Sequence, residues 1–409
     1  PAARLRLLRY AAVKRALVLT TLVAVAAVSG ALAYRSAVRD RSYRLLITAG
    51  EAALAADDTL AAVEGFSGAI AVRPDAMLPH LRRGETYRKR NELDMAARDF
   101  RAAAALDPTA TRPLDALGDV LMSQERFKRA ADTFQERLRL DDRSAQVRYR
   151  LALARYRDGA LGLALAEARR AAALDDGLAE AHYLAGLCLR DQGEHEGATE
   201  AMLLAVDRAP GFIAAREELA DLYAGAERYG EQIGQLEALA RLDAQRPARR
   251  VAIGLAHARA GRPDLAVQTL TAALERAPDP LEVNAALGRV WLQTAEERPE
   301  RADALAHALE SLERAASALN ATSETKGRYG KALELGGQHE AAEQVLQQAA
   351  ERLPIDTSAL RLLADVAERL GHAQVARTAL TRYLALVETG ADLPGYAARD
   401  RKSTRLNSS

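Results

Sequence analysis

The residues best suited to chemistry sit in two near-copies. GEHEGATEAMLLAVDRAP runs from Gly193 to Pro210 and GQHEAAEQVLQQAAERLP from Gly337 to Pro354, 144 positions later, each setting a histidine, His195 or His339, beside acids. A histidine among carboxylates can ligate a metal or act as a general base. A helical zinc pair needs a second histidine four residues on, and Thr199 and Glu343 stand there instead. The remaining histidines, His80, His182, His257, His307 and His372, form no cluster with metal-ligand spacing. Gly330-Lys331 lacks the earlier glycine and the following Ser/Thr of a phosphate-binding loop, and Gly65-Phe66-Ser67-Gly68 is one residue short of the turn that presents a nucleophilic serine. Cys188 is the one cysteine, which excludes an internal disulfide framework and a multi-cysteine zinc site; between Leu187 and Leu189 it reads as a small buried hydrophobe. Paired carboxylates are numerous and read as solvated helix faces. No catalytic residue, metal ligand, cofactor or small-molecule substrate is assigned, and the chain is not expected to be an enzyme.

At 409 residues there is room for two or more ordinary domains or for one elongated repeat array. Charged residues make up 28% and aromatics 4%, and alanine recurs throughout, a mixture that favours helices packed closely through small side chains. Lysine plus arginine (57) nearly balances aspartate plus glutamate (56), so bulk charge points to no nucleic-acid partner.

The near-copies are explained by a ruler of prolines. Pro74, Pro108, Pro210 and Pro278 follow one another at 34, three times 34 and twice 34 residues, and Pro354 comes after twice 34 plus eight. Counted with Pro74 at position 32, ten units start at Tyr43, Met77, Thr111, Ala145, Ala179, Ile213, Pro247, Leu281, Ser323 and Thr357 and run to Gly390. Position 8 is Gly or Ala, as in Gly50, Gly84, Gly118 and Ala152; position 20 is Ala, as in Ala62, Ala96 and Ala130; position 24 is Phe66, Phe100 and Phe134 in the first three units; position 27 is Ala69 and Ala103 in the first two. Gly159, Gly193, Gly261, Gly337 and Gly371 share position 15 with Asn91, where a left-handed residue would end a helix.

This pattern resembles the tetratricopeptide repeat, a 34-residue helix-turn-helix unit. The resemblance implies an all-α fold, a right-handed α-α superhelix of about ten helix-turn-helix repeats. Antiparallel helices with axes ~8 to 10 Å apart leave no room for large side chains where they cross, hence the small residues at positions 8, 20 and 27. Arg137 at position 27 and Gln232 at position 20 break the rule, so the third and sixth units are expected to pack less securely. The 144-residue interval is four repeats plus an eight-residue insertion in the unit from Leu281, and His195 and His339, both at position 17, read as packing residues at the joint. The inserted stretch, Thr294 to Glu310, is expected to lengthen the turn, with Pro299 in the first turn of the second helix and Glu300 and Asp303 at its positive end.

Ahead of the repeats, Ala16 to Tyr34 carries no charge and at ~1.5 Å per residue reaches about 28 Å, near the ~30 Å hydrocarbon core. Residues 16–34 are expected to form a transmembrane signal anchor, preceded by a basic segment, 1–15, and followed by a juxtamembrane linker, 35–42. A cleaved signal peptide with its site at Ala31-Leu32-Ala33 is the alternative, weakened by Arg35 directly after that site. Arg4, Arg6, Arg9, Lys14 and Arg15 precede the span, and Arg35, Arg39, Arg41 and Arg44 follow it with Asp40 among them. This bias favours a cytoplasmic start and an array on the extracytoplasmic, periplasmic side, with the reverse orientation as the alternative. Residues 391–409 are expected to be a disordered tail, partly non-native, because RKSTRLNSS resembles an adapter read-through; both natural ends are then expected to be missing.

The family resemblance implies that partners are held through positions 2, 5, 9, 12 and 13 of the first helix of each unit. Position 9 carries Glu51, Glu85 and Asp119 in the first three units, which makes the membrane-proximal groove acidic. The fourth and fifth units supply Tyr149, Leu153, Tyr156, Tyr183 and Leu187, flanked by Arg157 and Arg190, a patch of aromatic anchors with a charged rim. The carboxylate clamp for chaperone termini is disfavoured because no unit has Asn at position 9, and the asparagine ladder because position 6 holds residues such as Thr48, Arg82 and Leu184. A relative in lipopolysaccharide regulation ends in a four-cysteine module that one cysteine does not supply. The expected role is a non-catalytic, membrane-anchored bacterial-type scaffold for proteins or peptides, in envelope complex assembly. The alternative is the interaction arm of a larger kinase, receptor or transcription regulator.

Overall fold

The computed structural model describes residues 2–243, 246–275 and 280–388. Among the described residues every regular element is an α-helix, in keeping with an alanine-rich sequence. Two compact units divide between Glu194 and His195. The first holds α1 (Ala2–Ala55), α2 (Thr59–Val72), α3 (Met77–Lys89), α4 (Leu93–Leu106), α5 (Thr111–Ser123), α6 (Phe127–Leu140), α7 (Ala145–Arg157), α8 (Leu161–Leu174) and α9 (Ala179–Asp191). The second holds α10 (His195–Arg208), α11 (Ile213–Gly225), α12 (Tyr229–Leu242), α13 (Pro247–Arg259), α14 (Pro263–Leu274), α15 (Leu281–Glu297), α16 (Ala302–Ala316), α17 (Ser323–Leu335), α18 (His339–Ala350), α19 (Thr357–Arg369) and α20 (Ala373–Glu388). Pro278, the 391–409 tail and the last residues of the tenth counted repeat lie outside the described residues.

Within each compact unit, even-numbered helices pack against the odd-numbered helix before them and the one after, as α4 does against α3 and α5. Odd-numbered helices of successive repeats touch as well: α3 with α5, α7 with α9, α13 with α15, α15 with α17, and α17 with α19. This is the arrangement of a tetratricopeptide solenoid. The crossing within a repeat is set by size. A Cβ added at Gly84 would stand 2.7 Å from Phe100, one at Gly118 2.4 Å from Phe134, and one at Gly330 2.5 Å from Leu346, so position 8 surrenders its side chain to the large residue at position 24. Where position 8 is Ala152, position 24 shrinks to Ala168, and both are fully buried.

The two irregular core residues are accommodated by partners. Arg137 is 8% exposed; its Nε donates to Asp115 Oδ2 at 3.3 Å, and Asp141 lies 3.6 Å from its Nη2. Gln232, 4% exposed, accepts from Arg259 Nη2 at 3.4 Å. The third and sixth repeats therefore bury polar groups with bonds in place of the usual alanine, where looser packing was expected.

Turns repeat as faithfully as crossings. Position 15 has a positive φ at Gly159, Gly193, Gly261, Gly337, Gly371 and Asn91, and also at Asp57, Glu125 and Glu227. Each such residue is followed by a backbone N–H that reaches five residues back, as Arg126 to the Leu121 carbonyl at 2.9 Å and Arg228 to the Tyr223 carbonyl at 2.8 Å, closing the helix end. The insertion departs from its expected form. α15 runs 17 residues where α3 runs 13, and α16 begins only at Ala302, so Pro299 lies in the turn and not in the first turn of a helix. The inserted TAEE is good helix-forming sequence and prolongs α15 rather than the loop.

α1 is a single helix of 54 residues, about 80 Å long at ~1.5 Å per residue. Residues 35–42, assigned to a linker by sequence, are helical, because no Gly or Pro interrupts the chain between Gly30 and Gly50. The helix contains a stretch long and apolar enough to cross a membrane, with Leu22, Val25, Val28 and Leu32 exposed. Its last turns pack Tyr43, Leu46 and Ile47 with Phe66 and Ala69 of α2.

Candidate protein-binding face

Within each compact unit the odd-numbered helices present a face whose chemistry follows from which repeat positions meet between neighbours. In the first compact unit, Glu51 of α1 lies 3.2 Å from Arg82 of α3; Glu85 of α3 takes Arg112 of α5 at 2.7 Å and Arg82 at 3.1 Å; Asp119 of α5 lies 3.3 Å from Arg150 of α7. The face of the first three repeats, expected to be acidic, is thus not an acidic surface. Reading position 9 alone missed the arginines at positions 2 and 6 of the following repeat, which neutralise each carboxylate. Burial raises the Asp119 pKa against the opposing pull of Arg150 and Arg88, so desolvating this carboxylate outweighs what the arginines return.

Past Asp119 the face turns aromatic. Tyr149, Leu153, Tyr156 and Arg157 of α7 are all half-buried. The Tyr156 hydroxyl donates to Asp191 Oδ2 on α9 at 2.8 Å, and Arg190 Nε donates to the other Asp191 oxygen at 3.0 Å. Burial and that hydrogen bond keep the Tyr156 phenol protonated far above its ordinary range, and burial beside Glu180 raises Tyr149 too. Both tyrosines are therefore held neutral, and Tyr156 is fixed in one orientation over the α7–α9 junction. Tyr183 is half-buried on α9, but Leu187 is 2% exposed and belongs to the core. Its side chain is taken up in packing, unlike that of the half-buried Leu153 at the same position of the preceding repeat, so Leu187 leaves the proposed contact set. Beneath this face Cys188 is fully buried, and burial pushes its thiol up to about 12.

In the second compact unit the same face carries Glu217 of α11 paired with Arg249 of α13, Lys331 of α17 with Glu296 of α15, and Arg369 of α19 with Glu334 of α17. Arg259, Arg289 and Arg328 add three guanidiniums from α13, α15 and α17. At the insertion, Trp291 stacks on His307 at 4.9 Å and lies under the Arg301 guanidinium at 5.4 Å.

The histidines do no common work. His195 is exposed at the start of α10, where a packing residue was expected. His339 is half-buried at the start of α18. His372 meets Glu343 at 2.8 Å and His80 meets Asp99 at 3.4 Å. Asp99 and Glu167, almost fully buried, both stand at position 23; Arg83 forks onto Asp99 at 2.7 and 2.8 Å, and Arg148, Arg155 and Arg170 surround Glu167. These networks tie the two helices of a repeat together and escaped the sequence reading, which treated all acids as solvated. Among the described residues no three His, Cys, Asp or Glu side chains gather as a metal would require.

A family model described as the tetratricopeptide repeat matches residues 116–179, 178–211 and 329–391. Among solved structures, the chain is similar to YrrB, described as a tetratricopeptide repeat protein with an unusual peptide-binding site, at 24% identity and a TM-score of 0.38 over 44% of this chain and 93% of that one. It is similar to MamA at 27% identity and a TM-score of 0.36, covering 39% and 91%. A tetratricopeptide repeat protein from Parabacteroides merdae aligns at 13% identity and a TM-score of 0.44, covering 61% and 99%. No curated protein matches the sequence.

Proposed function

We propose, from the premise that the chain carries tetratricopeptide repeats, that it is a non-catalytic scaffold, anchored in a bacterial membrane through α1, that holds protein or peptide partners on its odd-helix face. The reading rests above all on the α7–α9 patch. Tyrosines give large contact area for little lost entropy, and fixing them in advance lowers the ordering cost of binding. Here the Tyr156–Asp191–Arg190 chain fixes one, next to repeats whose position-9 acids Glu51, Glu85 and Asp119 are paired with arginines. The apolar stretch of α1 supports the anchor, and the basic residues before it support a periplasmic array working in envelope assembly. Of the residues assigned by sequence, Tyr149, Leu153, Tyr156, Arg157, Tyr183 and Arg190 make up the proposed contact set; Glu51, Glu85 and Asp119 serve it as one half of the charge ladder.

A photo-crosslinking amino acid in place of Leu153, in the full chain in its own membranes, tests the patch. A discrete protein adduct is expected, and Tyr149→Ala with Tyr156→Ala should abolish it while the helical melting curve stays within a few degrees. Adducts that persist in the double variant, or arise only from even-numbered helices, overturn the assignment.

A further inference from the structure

On the odd-helix face, position 9 of one repeat meets position 6 of the next. Between Glu51 and Arg82, and between Asp119 and Arg150, that meeting joins a carboxylate to a guanidinium at 3.2 and 3.3 Å. Where α15 packs against α17 the same register sets Arg289 against Arg328, and α13 adds Arg259. Like charges replace opposite ones. Arg289 is exposed, and it makes no ion pair or hydrogen bond among the described residues. Among the described residues, Glu324, the one carboxylate acting on it, is already held by Arg328, and Arg259 has only neutral partners, Gln232 at 3.4 Å and the Tyr229 ring at 5.9 Å. Partial burial and the two neighbouring guanidiniums lower the pKa of Arg289, as expected for a cation short of a counter-charge.

A guanidinium fork matches a carboxylate with two parallel hydrogen bonds, and a cluster that repels itself gains most from receiving one. We infer that Arg259, Arg289 and Arg328 form a binding site for an acidic peptide segment of a partner protein, whose carboxylates complete the charge ladder at the step the chain leaves open. This rests on the reading of the odd-helix face as a protein-binding surface and names the partner chemistry for a second place on it. A peptide fits better than a nucleic acid because the surroundings are not a basic stripe. Glu282, Glu324 and Glu334 flank the cluster on the same helices and leave no continuous basic track for a phosphate backbone, whereas a flexible acidic peptide needs only the few carboxylates that reach the three guanidiniums.

The probe is a fluorescein-labelled octa-glutamate peptide titrated with the full chain in detergent micelles and followed by anisotropy. Binding is expected for octa-glutamate and not for octa-glutamine; Arg289→Gln should weaken it about tenfold or more, and Arg289→Glu should abolish it. Arg289→Glu should also raise the melting temperature, because it restores an opposite-charge meeting with Arg328 and Arg259; a purely structural arginine would lose stability in both variants. Equal binding by the parent and Arg289→Glu, no binding by the parent, or tighter binding of a single-stranded oligonucleotide than of octa-glutamate would each overturn the inference. The Leu153 crosslink separates the two readings: octa-glutamate binding lost with the crosslink intact removes only this site, and a crosslink lost with octa-glutamate binding retained removes only the tyrosine patch.

Discussion

Gly118 and Gly234 are both helical glycines, and they should respond oppositely to the same substitution. A Cβ at Gly118 meets Phe134 at 2.4 Å inside the repeat core, whereas one at Gly234 meets nothing within 4 Å. Gly118→Ala therefore forces Phe134 or the helix to shift and is expected to cost about 1 to 3 kcal/mol. Gly234→Ala is expected to gain up to about 1 kcal/mol from helix propensity alone. Urea denaturation followed by circular dichroism measures both, and a stabilised Gly118→Ala would refute close packing between positions 8 and 24. At this scale the small residues were legible because their spacing repeats. The buried polar residues were not: Arg137 and Gln232 are readable as accommodated only once Asp115 and Arg259 are seen beside them.

Helix ends were legible where residue type announces them and opaque where it does not. Glycine at position 15 signals a left-handed residue, but Asp57, Glu125 and Glu227 adopt the same conformation, at φ of 63°, 57° and 56°, because the bonds closing the turn require it. An L-residue there costs roughly 1 to 2 kcal/mol, partly offset in glycine by greater unfolded-state freedom. Glu125→Gly and Glu227→Gly are each expected to stabilise by about 0.5 to 1 kcal/mol, seen as a raised urea midpoint; a fall in either would mean the glutamate side chain does something the turn geometry does not reveal. The charge ladder belongs to this scale too. Position 9 read by itself yields an acidic groove, and only the packing of α1 against α3, or α5 against α7, brings the arginines of the next repeat into reach. The same blindness hid Arg289, whose meaning depends on Arg328 in another repeat.

Across the whole molecule, the repeat fold could be read from sequence because a solenoid repeats one local solution, and contacts between neighbouring repeats enforce a shared register. The binding face could be read only in outline, since its positions came from family resemblance and its energetics come from which side chains face one another. The long N-terminal helix lies between these cases: an apolar run predicts a span, but whether it is hinged to the first repeat depends on residues 35–42, and these are helical. Continuity has a measurable length. Spin labels at Ser29 and Leu45, both exposed, are 16 residues apart, so an unbroken helix sets their backbones about 24 Å from each other. In the full chain with Cys188→Ala, reconstituted in bilayers, dipolar spectroscopy should give a narrow distribution near that value. The Ser29 label should be relaxed by lipid-soluble oxygen and the Leu45 label by a water-soluble nickel chelate. A broad distribution would mean a hinge between membrane and array, and equal access of the chelate to both labels would mean that α1 does not enter the bilayer. If both results hold, the orientation of the first repeat is set directly by the tilt of the helix in the membrane, and the height of α2 above the lipid becomes a fixed property of the chain.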